Sequence, residues 1–222
     1  MAKIEENLLN IQKQIVNAKQ RANTDQAVNI IAVTKEVDIA RTKEAIEAGL
    51  TNLGENRPEG LMNKLQSINS NVSWHYIGSL QTRKVKQVIN DIDYLHSLDR
   101  LSLAEEIEKR ATKAVKCFIQ VNVSGEESKH GLTKQQALDF VKQLEQFSKI
   151  IVVGLMTMAP FTEDETVIRQ VFKQLKQLQQ EMSQLNIPNV PCTELSMGMS
   201  NDYEIAVEEG ATFVRIGTAL VG

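Results

Sequence analysis

The stretch Asn29-Ile-Ile-Ala-Val-Thr-Lys35 predicts a buried strand that leads into a helix. Its centre, Ile30 to Val33, is a short apolar run rich in β-branched side chains, which is typical of a strand buried on both faces. Asp38 then offers a helix N-cap, and apolar residues return behind it with helical spacing. Lys35 therefore lies where a buried strand ends, and ligands of α/β folds bind at that edge.

Lys35 has two interpretations at this position. A lysine in such a loop is most often a solvated side chain. The alternative is a desolvated amine at a pocket floor, placed to form a Schiff base with an aldehyde. Residues near the C-terminus favour the second interpretation.

Length and composition indicate a globular chain that folds as a single domain over residues 1–222. Hydrophobic residues make up 42% and charged residues 24%, and the net charge of −3 gives no general attraction to nucleic acid or to an anionic membrane. No run is long enough to span a membrane, and the first residues form no secretory signal. We therefore expect no membrane or nucleic-acid partner.

The cysteines and histidines give no sign of a metal site. Cys117 and Cys192 lie far apart, and such sparse cysteine fits a reducing cytosol, so the predicted location is cytoplasmic. The three histidines, His75, His96 and His130, are scattered and lack the spacing of metal ligands.

Eight short apolar runs alternate with helical patterns along the chain. Such alternation indicates parallel βαβ units, and eight units favour a closed (β/α)8 barrel over an open doubly wound sheet. Asp99 and Thr133 are expected to cap helices, and a role as the N-cap of a helix that starts at Asn201 is one of two interpretations of Ser200. The predicted strands run over 30–33, 51–54, 74–78, 93–96, 115–123, 150–156, 193–196 and 212–216.

The first helix, predicted over about residues 3–22, has one apolar stripe. A coiled-coil interaction helix is one interpretation, and a helix packed on its own barrel is the commoner one. Because no long helix pattern follows the eighth strand, we expect the N-terminal helix to cover that position of the barrel.

Two loops near the C-terminus have the composition of a phosphate site. In the first, Gly198 allows a tight turn and Ser200 offers a hydroxyl. In the second, Gly217 allows close approach of the backbone, and the amides of Gly217 and Thr218 could face an anion. Either loop alone would be explained as an ordinary turn.

Arg215 is unusual because it interrupts the apolar strand Phe213-Val-Arg-Ile-Gly217. Strand alternation turns it to the same side as Phe213, toward the barrel interior. A cation there is costly unless it is paired, so either a buried acid or the ring of a ligand would face it.

A lysine amine, a phosphate cradle and an inward arginine together describe a site for pyridoxal 5′-phosphate. The aldehyde would bond to Lys35, the phosphate would lie on the loops of Ser200 and Gly217, and Arg215 would face the pyridine nitrogen. Because arginine stays protonated, it would keep that nitrogen unprotonated and weaken the ring as an electron sink.

The chain resembles the YggS/PROSC family, the pyridoxal phosphate homeostasis proteins, over almost its whole length. The motifs that carry the resemblance are Ala32-Val-Thr-Lys35, Gly54-Glu-Asn56, Trp74-His-Tyr-Ile-Gly-Ser-Leu-Gln81, His96-Ser-Leu-Asp99, Val121-Asn-Val-Ser, Glu127-Ser-Lys-His-Gly131, Gly154-Leu-Met-Thr157, Glu194-Leu-Ser-Met-Gly-Met-Ser200 and Val214-Arg-Ile-Gly-Thr218. The sequence departs from the family's pattern at Gly60 and Arg83.

The resemblance implies the barrel of the alanine racemase N-terminal domain. It implies that Lys35 carries the cofactor and that Ser200, Gly217 and Thr218 hold its phosphate. It also implies that Arg215 faces the ring nitrogen and that Asn56 lies beside the cofactor. The predicted state is a monomer, with apo forms of pyridoxal phosphate enzymes as candidate partners.

Three functions are compatible with these sequence features. The first is a binding protein that buffers and delivers pyridoxal phosphate without turnover. The second is an enzyme, either an amino-acid racemase or a Schiff-base aldolase. A racemase needs a second acid/base group on the opposite face of the substrate, and neither Tyr76, Tyr94 nor Tyr203 is placed by a motif to supply it. The third is a helix-mediated interaction protein, which would not need Lys35.

Overall fold

The computed structural model describes residues 2–126 and 130–222 and contains one closed parallel barrel. The strands follow one another around it in chain order, and β8 (Phe213–Ile216) pairs with β1 (Asn29–Val33) to close it. The predicted (β/α)8 barrel is therefore confirmed, and the doubly wound alternative is wrong. The remaining strands are β2 (Asn52–Glu55), β3 (Ser73–Tyr76), β4 (Tyr94–Leu98), β5 (Val115–Gln120), β6 (Ile150–Met156) and β7 (Glu194–Ser196).

Helices separate the strands and surround the barrel. Residues 127–129 of the motif Glu127–Gly131 lie outside the described residues. The helices are α1 (Ala2–Arg21), α2 (Ile39–Glu47), α3 (Pro58–Ser67), α4 (Val85–Val88), α5 (Leu101–Arg110), α6 (Lys134–Gln143), α7 (Glu165–Ser183), α8 (Tyr203–Glu208) and α9 (Thr218–Val221), with single 3-10 turns at Thr82–Lys84 and Leu144–Gln146.

Two of the predicted helix caps are confirmed and two are wrong. The Asp38 side chain accepts from the amide of Arg41, and Thr133 forms a full capping box. Asp99 caps no helix: its carboxylate accepts from the Arg100 side chain, and the N-cap position of α5 is Arg100. Ser200 lies in the turn before α8, whose N-cap position is Asp202 rather than Ser200.

The N-terminal helix packs on its own barrel, as expected, and not as an isolated coiled coil. It lies against α8 and α9 and so covers the barrel on the side of these two short helices. The side chains of its apolar stripe are buried, each isoleucine worth roughly 1.5–3 kcal/mol relative to exposure. The stripe consists of Ile4, Leu8, Ile11, Ile15 and Ala18.

The core has two layers. The larger layer lies between the sheet and the helices. The smaller layer lies apart from it and consists of Ile31, Phe118, Met156 and Phe213. Among the described residues, no helix is long and apolar enough to cross a membrane, and no group of side chains has the composition of a metal site.

Candidate functional site at the carboxyl edge of the barrel

The six predicted site residues come from four neighbouring strands. Around the barrel these strands run in the order β2, β1, β8 and β7. Because all of them are parallel, their carboxyl ends meet at one edge. The residues are Lys35 after β1, Asn56 after β2, Ser200 after β7, Arg215 within β8, and Gly217 and Thr218 after β8.

Lys35 is exposed, so the expectation of a desolvated amine at a pocket floor is wrong. The reason lies in where the strand ends. Val33 is the last strand residue. Thr34 is completely buried, whereas Lys35 begins the turn to α2 with its side chain in solvent. The amine is therefore accessible to a molecule that reaches this edge.

The Gly217 loop lies directly against the end of β1. A Cβ added at Gly217 would lie 3.6 Å from the Cβ of Val33, an ordinary van der Waals contact. Packing within the chain therefore does not require glycine there. Gly217 is half-buried and Thr218 is exposed, so both can be reached from solvent.

The loop after β7 is shaped by a glycine and a buried carboxylate. Gly198 has a φ of +92°, a left-handed conformation that favours glycine, and a Cβ there would lie 2.6 Å from the Cβ of Ala206. The Asp202 carboxylate accepts from the amide of Met199 at 2.5 Å. These contacts hold half-buried Ser200 at the barrel edge, and the predicted tight turn at Gly198 is confirmed.

Arg215 is buried, with 5% of its surface exposed. Its Nη1 donates to the hydroxyl of Ser196 at 2.6 Å, and its Nη2 donates to the carbonyl of Thr157 at 2.9 Å. These bonds use two of the five N–H groups of a guanidinium. Within the described part of the chain these are the side-chain hydrogen bonds of Arg215, so N–H groups of the guanidinium remain that could donate to a ligand atom.

The charge on Arg215 is not balanced by a salt bridge within the described residues. Burial lowers the pKa of Arg215 from its usual range to about 10, and the charge of Asp202 acts in the opposite direction. The guanidinium is therefore still protonated at neutral pH. Burial likewise raises the pKa of Asp202, against the opposing effects of the Met199 amide and of Arg215.

A chain of hydrogen bonds leads from Arg215 through the barrel interior. The Ser196 hydroxyl lies 2.9 Å from Nδ1 of His96, and Nε2 of His96 lies 2.9 Å from Nδ1 of His75. Nε2 of His75 lies 3.0 Å from Oδ1 of Asn52. The two histidines are thus neighbours, and the interpretation that they are scattered is wrong for this pair.

The direction of this chain follows from its first member. Arg215 can only donate, so the Ser196 hydroxyl accepts from it and donates its own hydrogen bond to Nδ1 of His96. His96 then donates from Nε2, and His75 donates from Nε2 to Asn52. Both histidines are neutral, because burial lowers the pKa of His75 to about 3 and that of His96 well below its usual range. The chain fixes the Ser196 hydroxyl that holds Arg215.

An amine, a buried guanidinium and hydroxyl-bearing loops at one barrel edge define a protein that can hold an anionic aldehyde. The model of the alanine racemase N-terminal domain matches residues 7–222. An alanine racemase from Corynebacterium glutamicum shares the fold, with a TM-score of 0.74 at 13% identity over 99% of this chain and 60% of that one.

Relatives of higher sequence identity define the family within this fold class more narrowly. A pyridoxal phosphate homeostasis protein from Aquifex aeolicus is 37% identical over 98% of this chain and 96% of its own. PipY from Synechococcus elongatus, solved with pyridoxal phosphate bound, is 31% identical, with a TM-score of 0.87 over 99% of this chain and all of that one. The chain belongs to the family of pyridoxal phosphate homeostasis proteins, which confirms the resemblance seen in its motifs.

Proposed function

We propose that this chain binds pyridoxal 5′-phosphate at the carboxyl edge of its barrel and serves in homeostasis of that cofactor. The observation that carries the proposal is the buried, protonated Arg215, which keeps hydrogen-bond donors to spare beside an exposed lysine and two loops able to hold phosphate. The cofactor bound to PipY and the names of the curated relatives support it.

The residues present fit the chemical groups of this cofactor. Pyridoxal phosphate supplies an aldehyde that reacts with a primary amine. Lys35 would supply that amine from the end of β1. Ser200, Gly217 and Thr218 would hold the phosphate, and half-buried Asn56 would lie beside the ring.

Arg215 would face the pyridine nitrogen and govern its protonation. A protonated guanidinium can donate to that nitrogen but cannot give up its proton at neutral pH. The nitrogen would therefore stay uncharged, and the ring would withdraw electrons weakly. Such a site suits storage and release of the cofactor better than chemistry on amino acids. On this proposal the protein binds the cofactor without catalysing a reaction of its own.

The placement of the tyrosines supports this over a racemase. Tyr94 starts β4, at the far end of the barrel, and stacks on His75. The Tyr203 hydroxyl donates to Gln14 of α1. Tyr76 is buried, and burial raises its pKa to about 12. A racemase would need a proton-exchanging group on the face opposite Lys35, and these positions do not favour any of the three.

The absorbance spectrum of the purified protein, recorded with added pyridoxal phosphate, tests this function. We expect a yellow protein whose band disappears with sodium borohydride and whose modified peptide contains Lys35. We also expect no activity on a broad panel of amino acids. A protein that takes up no cofactor would end the proposal, and turnover of an amino acid would favour the racemase.

Replacing Ser200 with alanine is expected to weaken cofactor binding without abolishing it. Loss of one hydrogen bond to a charged group costs roughly 1.5–3 kcal/mol, which is on the order of ten- to a hundredfold in affinity. The amides of Gly217 and Thr218 would remain. Titration followed by absorbance measures the change, with Ser70→Ala, an exposed serine in the loop before β3, as the matched control. Equal affinities in both variants would place the phosphate elsewhere.

A further inference from the structure

A buried ion pair lies on the outer side of the barrel, directly behind the end of β1. The Lys64 amine of α3 lies 2.6 Å from the carboxylate of Glu55, the last residue of β2. Only 4% of Lys64 and 1% of Glu55 are exposed. Neither residue belongs to the six predicted site residues, and both are separated from the barrel interior by the sheet.

Both members of the pair act on Thr34, the residue that precedes Lys35. The Thr34 hydroxyl donates to Oε1 of Glu55 at 2.6 Å, and the Lys64 amine donates to the carbonyl oxygen of Thr34. The Thr34 amide donates to the carbonyl of Gly54 at 3.0 Å. Thr34 is completely buried. Its amide and hydroxyl each have a partner, and its carbonyl has two, because it also accepts from the amide of Val37 at 3.1 Å.

These bonds act on the backbone of Lys35 through the peptide plane that joins it to Thr34. The carbonyl of Thr34 and the nitrogen and α-carbon of Lys35 lie in one plane, because the peptide bond is rigid. A hydrogen bond that orients the Thr34 carbonyl therefore helps to fix the positions of the Lys35 nitrogen and α-carbon, from which the side chain leaves the backbone. Lys35 is itself exposed, so its backbone is the part that the fold can hold in place.

The surroundings of the pair are adapted to the carboxylate. A Cβ at Gly60, in the first turn of α3, would lie 2.9 Å from Oε2 of Glu55. Glycine is a poor helix residue, and the close approach of the Glu55 carboxylate explains why glycine stands at position 60 of this helix. A buried ion pair contributes little net stability compared with apolar side chains of the same size, which points to a role other than stability.

We propose that Glu55 and Lys64 are positioning residues for Lys35. They hold the Thr34–Lys35 peptide so that the Lys35 amine meets the aldehyde of the cofactor. This inference rests on the proposed function, since it concerns the rate at which Lys35 forms its covalent bond. It assigns the pair no contact with the cofactor and no part in holding its phosphate.

The double variant Glu55→Leu/Lys64→Met tests the role, because it replaces both charges with apolar side chains of similar size. Covalent attachment to Lys35, trapped with borohydride and mapped by peptide mass, is expected to slow by about ten- to a hundredfold, the effect of a small misplacement of a reacting group. Affinity for pyridoxine 5′-phosphate, which has no aldehyde, should change by less than about twofold. The urea midpoint of unfolding should be unchanged or higher.

An exposed ion pair on the same helix gives the matched control. Glu59→Gln/Lys84→Gln removes the pair between α3 and the turn before α4, and attachment should proceed at the wild-type rate. If the wild type binds neither compound, the proposed function is wrong. If the wild type attaches the cofactor and the Glu55→Leu/Lys64→Met variant attaches it equally fast, the positioning role is wrong.

Single substitutions at Thr34 decide the question if the double variant does not fold. Thr34→Val keeps the shape and removes the hydroxyl bond to Glu55, so attachment should slow while pyridoxine 5′-phosphate affinity stays the same. Thr34→Ser keeps the hydroxyl and should restore the rate. Equal attachment rates in Thr34→Val and Thr34→Ser would overturn the proposal.

Discussion

Replacing Lys35 with alanine is expected to abolish covalent attachment of the cofactor and leave the fold intact. The side chain is exposed at the barrel edge and takes no part in the core, so the free energy of unfolding should change by less than about 0.5 kcal/mol. The loaded variant should show no borohydride-sensitive band and no modified peptide. Noncovalent binding through the phosphate loops and Arg215 should persist at lower affinity.

The structure supplies the control for this result and limits the alternatives. Lys43 lies on α2 and is exposed like Lys35, so Lys43→Ala should keep the band. Lys64 is engaged by Glu55 and by the carbonyl of Thr34, which leaves its amine poorly placed to react. A borohydride-reducible bond that survives in the Lys35 variant would show that another lysine is the anchor.

The barrel could be predicted because each strand is a short apolar run between helices, a pattern that depends only on local sequence. Strand β6 was predicted with its observed bounds, Ile150–Met156. Strand β5 was predicted three residues too long, because Val121 makes only an isolated bridge to Leu132 after the sheet ends. Apolar character continues past the last ladder hydrogen bond, so composition alone does not mark the end of a strand.

The candidate site was predictable where a residue type was unusual for its place. Arg215 in an apolar strand and the glycine loops drew attention for that reason, and the roles of all six site residues stay predictions. The contact between His75 and His96 was missed because the two residues are 21 positions apart in the chain and the contact depends on the register between neighbouring strands. Two histidines at inward positions of consecutive strands were the available signal.

The ion pair of Glu55 and Lys64 was missed for a related reason. Charged side chains are rarely buried, so sequence reasoning treats both as solvated. Only the packing of α3 on β2 brings them together, out of water and against Thr34. The exposure of Lys35 agrees with the interpretation of a solvated loop lysine, but strand alternation could not decide between the two interpretations because it gives no direction to a side chain once the turn has begun.

Replacing Arg215 with glutamate is expected to have the second large effect, first on stability. The variant would place a carboxylate against the carbonyl of Thr157, with the charge of Asp202 nearby. Losing these bonds and leaving a buried charge without a partner should lower the free energy of unfolding by about 2–5 kcal/mol. Urea unfolding measures this loss, and cofactor affinity should fall with it.

The same variant tests why the site would be catalytically silent. A glutamate would favour a protonated pyridine nitrogen and a stronger electron sink, so exchange of an amino acid's α-proton with solvent should rise above the wild-type rate. Proton NMR in heavy water follows that exchange in the fraction that still binds cofactor. Arg215→Lys keeps the positive charge and should show no gain. If the glutamate variant folds, carries cofactor and still gains nothing, then silence arises from the lack of an acid on the opposite face or from restricted access, and not from Arg215.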